Sequence, residues 1–132
     1  MELKALTVNL MVENVQRSVD FYNRTFGFEV VTTVPGENEL VFALVKRDEV
    51  SLMFQSMKSF AEAMPEYKNT KIGGSILLYI DVIKVHEIYE MARKSGVEIV
   101  VEMHKTFYGT NEFAIRDCDG YLVSFAQDAG TD

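Results

Sequence analysis

The sequence is poor in the residues that staple or rigidify small proteins. It contains no tryptophan, two prolines, two histidines and a single cysteine, Cys118. One cysteine excludes a disulfide within the chain and fits a reducing compartment. No apolar run approaches the roughly 20 residues of a membrane-spanning helix, and Met1–Lys4 do not begin a secretory signal pattern. We therefore expect a cytoplasmic protein that does not enter a membrane.

Basic residues are also scarce, because 13 lysines and arginines face 20 aspartates and glutamates, for a net charge of −7. Proteins that bind nucleic acid need a basic surface, so this balance argues against a nucleic-acid partner. The negative field mildly favours a neutral or cationic ligand.

The chain is long enough for one domain with a real core: 132 residues, 48% of them hydrophobic. It also looks like one module written twice. Thr7–Glu13 resembles Ser75–Asp81, Gly27 corresponds to Gly96, and the triplet 42–44 aligns with the triplet 113–115. We therefore predict a single domain over residues 1–132, with modules at about 4–56 and 74–128 and a linker at about 57–73.

Each module predicts the order βαβββ. In the first, Asn14 is a suitable helix cap and Gly27 a helix stop, and apolar residues between them have helical spacing. In the second, Ser95-Gly96 ends the helix, and Asp117–Gly120 predicts a hairpin turn before the last strand. The predicted strands are Leu6–Val12, Phe28–Val34, Glu39–Val45, Val50–Gln55, Ser75–Asp81, Glu98–Met103, Phe107–Arg116 and Tyr121–Gln127.

This pattern resembles the glyoxalase, bleomycin-resistance and extradiol-dioxygenase superfamily, also called vicinal oxygen chelate proteins. The resemblance rests on Asn14–Tyr22 after the first strand, Phe26-Gly27-Phe28, Ser95-Gly96-Val97, and Asp117–Tyr121 before the last strand. It implies an α+β fold in which two βαβββ modules form a curved, open-barrel-like mixed sheet with the helices outside. It also implies a homodimer, which the exposed edges of open sheets favour as well.

The resemblance further implies four positions at which members of the family hold a divalent metal with His and Glu side chains. Here these positions are Thr7, Ser51, Ser75 and Ser124. Hydroxyl groups are weak ligands for zinc, nickel or iron, so we predict no metal and no cofactor.

The other reactive side chains give little support to a catalytic site. His86 is expected on the outer flank of a helix, whereas His104 is close enough to Tyr108 to reach the rim of a pocket. Cys118 lies between two aspartates, which raise a thiol pKa instead of activating the thiol.

A cavity lined by alternate strand residues remains. Small-molecule sites are concave and mostly apolar with a few polar groups, and methionine and tyrosine adapt well to organic ligands. The alternative is that these residues simply fill the sheet interior. The predicted lining is Thr7, Asn9, Met11, Ser51, Met53, Gln55, Ser75, Leu77, Tyr79, Tyr108 and Ser124.

The leading hypothesis is a metal-free protein that sequesters an aromatic or cationic compound. The alternative is a metal-dependent lyase, isomerase or dioxygenase with displaced ligands, in which His104 would take part. The ligand's identity, and whether the modules pair within one chain or by exchange between chains, stay open at this level.

Overall fold

The computed structural model describes residues 1–131. It contains two four-stranded mixed sheets. The first sheet contains, in spatial order, β1 (Val8–Val12), β4 (Val50–Ser56), β3 (Leu40–Arg47) and β2 (Glu29–Pro35). The second contains β5 (Leu77–Asp81), β8 (Leu122–Asp128), β7 (Thr110–Arg116) and β6 (Glu98–Lys105). In each sheet one pair is parallel, β1 with β4 and β5 with β8, and the remaining pairs are antiparallel. The predicted α+β class with two βαβββ modules is confirmed.

The first module contains four strands and two helices. The strands are β1 (Val8–Val12), β2 (Glu29–Pro35), β3 (Leu40–Arg47) and β4 (Val50–Ser56), and the helices are α1 (Val15–Phe26) and α2 (Met57–Ala63). A single 3-10 turn, Pro65–Tyr67, follows α2. Much of the predicted linker is thus helical.

The second module repeats the order with one helix. Its strands are β5 (Leu77–Asp81), β6 (Glu98–Lys105), β7 (Thr110–Arg116) and β8 (Leu122–Asp128), and its helix is α3 (Val85–Ser95). By Cα proximity the chain divides into two compact units, residues 1–23 with 27–70, and residues 24–26 with those from Lys71 on.

Helix α1 begins and ends where the sequence predicts. The Asn14 side chain accepts a hydrogen bond from the backbone N–H of Arg17 at 2.9 Å. Gly27 ends the helix with a left-handed φ of 74°, a conformation that glycine adopts without steric cost. On the buried side of α1, Tyr22 packs on Phe54 of β4 with ring centroids 5.3 Å apart.

Helix α3 covers the second sheet in the same way. The helical spacing of Val85, Ile88, Tyr89 and Ala92 predicts its buried stripe. Val85 and Ala92 are fully buried, and Ile88 and Tyr89 are half-buried. The ring of Tyr89 meets Phe113 of β7 edge-on at 5.0 Å, and Phe113 stacks on Phe125 of β8 at 5.2 Å. Lys84 precedes α3 with a φ of 64° and makes no side-chain cap.

Three predictions about the strands are wrong in detail. Thr7 and Ser75 precede β1 and β5 instead of lying on them, and both are exposed. The strand predicted from Phe107 begins only at Thr110, because residues 106–109 form a turn closed by a 2.8 Å bond from the N–H of Thr106 to the carbonyl of Thr110.

The alignment of the two triplets is also wrong, by one residue. Phe113 faces α3, whereas Phe42 pairs with Gln55 and therefore points away from Phe54 and α1. Since side chains alternate along a strand, a slip of one residue exchanges the two faces of the sheet.

Candidate functional site

The face of each sheet opposite its helix, which we call the non-helical face, carries the chemistry of both modules. In the second module this face follows from the strand register, which pairs Tyr79 with Ser124 and Ser124 with Ala114. Glu112 lies two residues before Ala114 on β7 and therefore on the same face. It is 8% exposed.

The Glu112 carboxylate is the acceptor for three hydroxyl groups. Tyr79 on β5 donates a short hydrogen bond to Oε2, the Thr110 hydroxyl donates to the same oxygen at 2.7 Å, and the Tyr108 hydroxyl donates at 2.8 Å. Hydrogen bonds to an ionised acceptor are stronger than neutral ones. We call these four residues the Glu112 cluster.

The hydrogen bonds of the cluster shift the pKa values of its members in opposite directions. Burial alone would raise the pKa of the Glu112 carboxyl, but the three hydroxyl donors and the electrostatic influence of the nearby His104 ring lower it. The hydrogen bond from Tyr79 to Glu112, together with desolvation, raises the pKa of Tyr79 to about 12. The separate hydrogen bond from Tyr108 to Glu112 raises the pKa of Tyr108. Glu112 is thus an anion at neutral pH and both phenols are neutral.

A tight turn places Tyr108 over the carboxylate. The hydroxyls of Thr106 and Thr110 are 2.8 Å apart, and the N–H of Gly109 donates to the carbonyl of Thr106 at 3.3 Å. Gly109 has a φ of 91°, which an L side chain rarely adopts. The turn leaves Phe107 fully exposed while Tyr108 reaches back to Glu112.

Two further residues of the predicted lining, Leu77 and Ser124, lie on the same face as Tyr79. Leu77 is 52% exposed, whereas Ser124, the register partner of Tyr79, is buried. Ser75 has a φ of 59° and lies in the loop before β5.

His104 lies on β6 and not in a turn. It is the register partner of Glu112, and its Nδ1 is 2.9 Å from the carbonyl oxygen of Glu102. The imidazole therefore borders the cluster, without a direct hydrogen bond to the carboxylate among the described residues.

The non-helical face of the first module holds amides in place of a carboxylate. Asn9 Nδ2 donates to Gln55 Oε1 at 2.9 Å, and Gln55 Nε2 donates to the Ser59 hydroxyl at 2.8 Å. Asn9 Oδ1 is the one fully buried polar side-chain atom between residues 1 and 131 for which no hydrogen bond is found. Such an acceptor is costly unless a donor reaches it.

Two methionines and a serine accompany these amides. Met53 is the register partner of Asn9, and Met11 is the partner of Gln55. Ser51 of β4 pairs with Lys46 of β3. Thr7 precedes β1 and is exposed. The centre of this face thus holds amides and thioethers, with Lys46 towards its end, whereas the second face holds a buried carboxylate.

A separate cavity of about 600 Å³ lies at the edge of the first module. It is lined mainly by the β2–β3 turn and α2, including Glu13, Glu37, Glu39, Glu62 and Lys58. Of the residues predicted to line the site, none lines this cavity.

The residues present do not fit the metal centre that the fold family implies. Thr7 and Ser75 lie outside the strands, and Ser51 and Ser124 offer only hydroxyls. No group of three or more His, Cys, Asp or Glu side chains within the described range is arranged to hold a metal ion. First-row divalent metals require such donors.

Sequence reasoning missed Glu112, Thr110 and Ser59. A signal for the first two existed, because Thr110, Glu112 and Ala114 alternate along β7. Their face is revealed only once the register with Ser124 is known. Ser59 lies on α2, within the segment that the sequence predicts as a linker.

Similar proteins cover nearly all of this chain. The protein YraH from Bacillus subtilis (strain 168) is 28% identical over 125 residues, which are 92% of this chain and 95% of YraH. TioX from Micromonospora sp. ML1 has a TM-score of 0.76 at 20% identity, over 95% of this chain and 98% of its own. TnmS3 from Streptomyces sp. CB03234, described as an antibiotic binding protein, has a TM-score of 0.73 at 20% identity, over 97% and 98%.

No helix within residues 1–131 is long and apolar enough to cross a bilayer. The family model that matches the chain spans residues 4–125 and so takes in both βαβββ modules. The chain therefore belongs to the Glyoxalase/Bleomycin resistance protein/Dioxygenase superfamily.

Proposed function

We propose that the protein binds a small organic molecule, aromatic or cationic, on the non-helical faces of its sheets and releases it unchanged, without a metal or other cofactor. The Glu112 cluster carries this proposal. A buried carboxylate fixed by three hydroxyls, with two half-exposed tyrosine rings beside it, is suited to recognising a ligand by charge and by ring contact.

The first module supports the proposal with a second set of contacts. The side-chain amides of Asn9 and Gln55 are neutral polar groups on this face, and such groups can orient a small molecule. Met11 and Met53, on the same face, provide polarisable surface that adapts to different ring systems. The residues proposed to contact a ligand on the two faces are those of the predicted lining, with Glu112 and Thr110 added on the second.

The similarity to TnmS3, an antibiotic binding protein, is compatible with sequestration of this kind. At 20% identity that similarity concerns the fold, so the proposal depends on the side chains of this chain.

A homodimer forms part of the proposal. Strand β2 lies at the edge of the first sheet and leaves apolar side chains exposed, Val31 by 57% and Val34 by 46%. Apolar surface of this kind is commonly covered by another protein copy. The single-domain organisation and the cytoplasmic location expected from the sequence also stay predictions.

The first experiment is a thermal-shift screen of the full chain against aromatic, cationic and neutral drug-like compounds. A ligand that binds only the native state, present at a hundred times its Kd, adds about 2.7 kcal/mol to stability and shifts the Tm visibly. We expect shifts from compounds with rings or positive charge. Sedimentation should give twice the monomer mass of 15.0 kDa.

The same screen includes nickel, zinc, manganese and iron(II), with metal analysis of protein purified without chelator. Stoichiometric metal and a clear shift with one of these ions would contradict the metal-free proposal and favour the lyase, isomerase or dioxygenase alternative. A screen that returns no compound at all would contradict the binding function itself.

A further inference from the structure

The Glu112 carboxylate uses only one of its two oxygens within the protein. The three hydroxyls of Tyr79, Tyr108 and Thr110 all donate to Oε2. Oε1 accepts no hydrogen bond from residues 1–131, yet it is not among the fully buried atoms that lack a partner. Because an ionised carboxylate has about four lone-pair sites, Oε1 is an open acceptor on the non-helical face.

The protein supplies no full counter-charge to this anion. Within the described chain no lysine or arginine forms an ion pair with Glu112, and Arg116, further along β7, is paired with Glu98. His104 borders the carboxylate from β6 without bonding to it. A largely buried carboxylate is stabilised further when a cation is placed against it.

The surrounding rings restrict the kind of cation. Tyr79 and Tyr108 direct their hydroxyls at Glu112 and are 47% and 56% exposed, so parts of their rings remain accessible. Organic cations are attracted to aromatic faces, and flat ligands stack on them. A bare metal ion would lack further ligands here, and an anion would be repelled by the carboxylate.

We infer that the ligand is an organic cation whose protonated nitrogen binds Oε1 of Glu112 while its aromatic part lies against Tyr79 and Tyr108. This inference rests on the proposed binding function and narrows it from aromatic or cationic compounds to protonated aromatic amines. Glu112 is then the residue that determines charge specificity.

The test uses three probes that share one ring system and differ in charge: 2-naphthylmethylammonium, 2-naphthylmethanol and 2-naphthoate. Their affinities for the full chain are measured by calorimetry at pH 7. We expect the ammonium to bind at least tenfold more tightly than the alcohol, and the carboxylate to bind most weakly. Glu112→Gln keeps an oxygen for the three hydroxyls but removes the charge, so the ammonium and alcohol should then bind within about twofold of each other.

Glu102→Gln is the matched control, because it removes the same charge from β6. Glu102 accepts a hydrogen bond from Tyr89 of α3 and so serves the other face of the sheet. This variant should keep the preference for the ammonium. If it loses the preference as fully as Glu112→Gln does, the effect comes from net charge and the inference is overturned.

A second measurement needs no variant. With ¹³C-labelled glutamate, the carboxyl resonance of Glu112 should shift when the ammonium probe is added and stay in place with the alcohol. Equal affinities of the ammonium and the alcohol for the wild type, or an unmoved Glu112 resonance, would overturn the inference.

The two proposals fail in different ways. If the probes show no charge preference, or do not bind while the drug-like screen returns neutral compounds, the inference is wrong and the binding function stands. If that screen returns nothing either, the binding function fails.

Discussion

The two modules share a strand order but differ in what their non-helical faces offer. The centre of the first holds neutral groups, with Asn9 bonded to Gln55 and methionines beside them. The second presents a buried anion, Glu112, held by three hydroxyl donors. The repeated strand order thus fixes which positions lie on the non-helical face, whereas the side chains at those positions decide the chemistry that the face offers.

The helix-covered faces of the two sheets differ far less. In the first module Tyr22 packs on Phe54, and in the second Tyr89 packs on Phe113. Both arrangements bury large rings, whose contribution depends on burial and packing and not on charge. The specialisation of the two modules is therefore confined to the faces opposite the helices.

The largest difference in stability between variants of the two modules should come from removing Glu112 on the second non-helical face and Gln55 on the first. Glu112→Ala removes the acceptor of Tyr79, Tyr108 and Thr110, but the half-exposed phenols turn to water, so we expect a loss of about 2 kcal/mol in the free energy of unfolding. Gln55→Ala breaks two neutral hydrogen bonds and should cost about 1 kcal/mol. Urea unfolding followed by circular dichroism measures both.

Glu102→Ala is the control for loss of a carboxylate that accepts one hydrogen bond, from Tyr89, at an exposed site, and it should cost about 0.5 kcal/mol. If Gln55→Ala costs as much as Glu112→Ala, the claim that the second face has the stronger polar centre is wrong.

A smaller effect concerns pH and is confined to the second module. The pKa of Tyr79 is raised to about 12 in the folded protein from about 10. A raised pKa means that the hydrogen bond stabilises the fold fully below pH 10 and that this contribution is lost as the pH rises through about 12. Tyr79→Phe should therefore be less stable than wild type at pH 8, with the difference shrinking between pH 10 and 12.

Urea midpoints of both proteins at several pH values between 8 and 12 give the measurement. Tyr67, whose ring meets Phe60 at 4.9 Å in the first module, donates to no carboxylate within residues 1–131 and provides the control Tyr67→Phe. A Tyr79→Phe deficit that stays constant up to pH 12 would show that the phenol does not depend on Glu112.

The sequence predicts the fold well where the determining residues are neighbours along the chain. The cap at Asn14 and the stop at Gly27 are confirmed, and two of the four residues predicted for the buried stripe of α3, Val85 and Ala92, are fully buried. Each depends on local hydrogen bonds or on helical spacing, which a sequence displays directly.

The candidate site is harder to predict because it depends on register. A hairpin closed by the four residues 117–120 would pair Arg116 with Tyr121, but the structure pairs Arg116 with Leu122. The backbone N–H of Asp117 donates to the carbonyl oxygen of Tyr121, and this bond keeps Tyr121 in the turn. Because the turn includes Tyr121 as one extra residue, Glu112 lies on the same face as Ser124. No local sequence pattern predicts this shift of register.

The smallest predicted effect compares the starts of the two main helices. Asn14 caps α1 with its side chain, whereas Lys84 precedes α3 in a left-handed conformation without a cap. Asn14→Ala should cost about 1 kcal/mol. Lys84→Asn should instead stabilise the protein by about 0.5 kcal/mol, because asparagine tolerates the left-handed region better than lysine. Lys84→Gln is the control, because it removes the same charge but has no preference for the left-handed backbone. Urea unfolding measures the free energy of unfolding of each variant. If Lys84→Gln stabilises the protein as much as Lys84→Asn does, the effect comes from charge and not from the backbone at the start of α3.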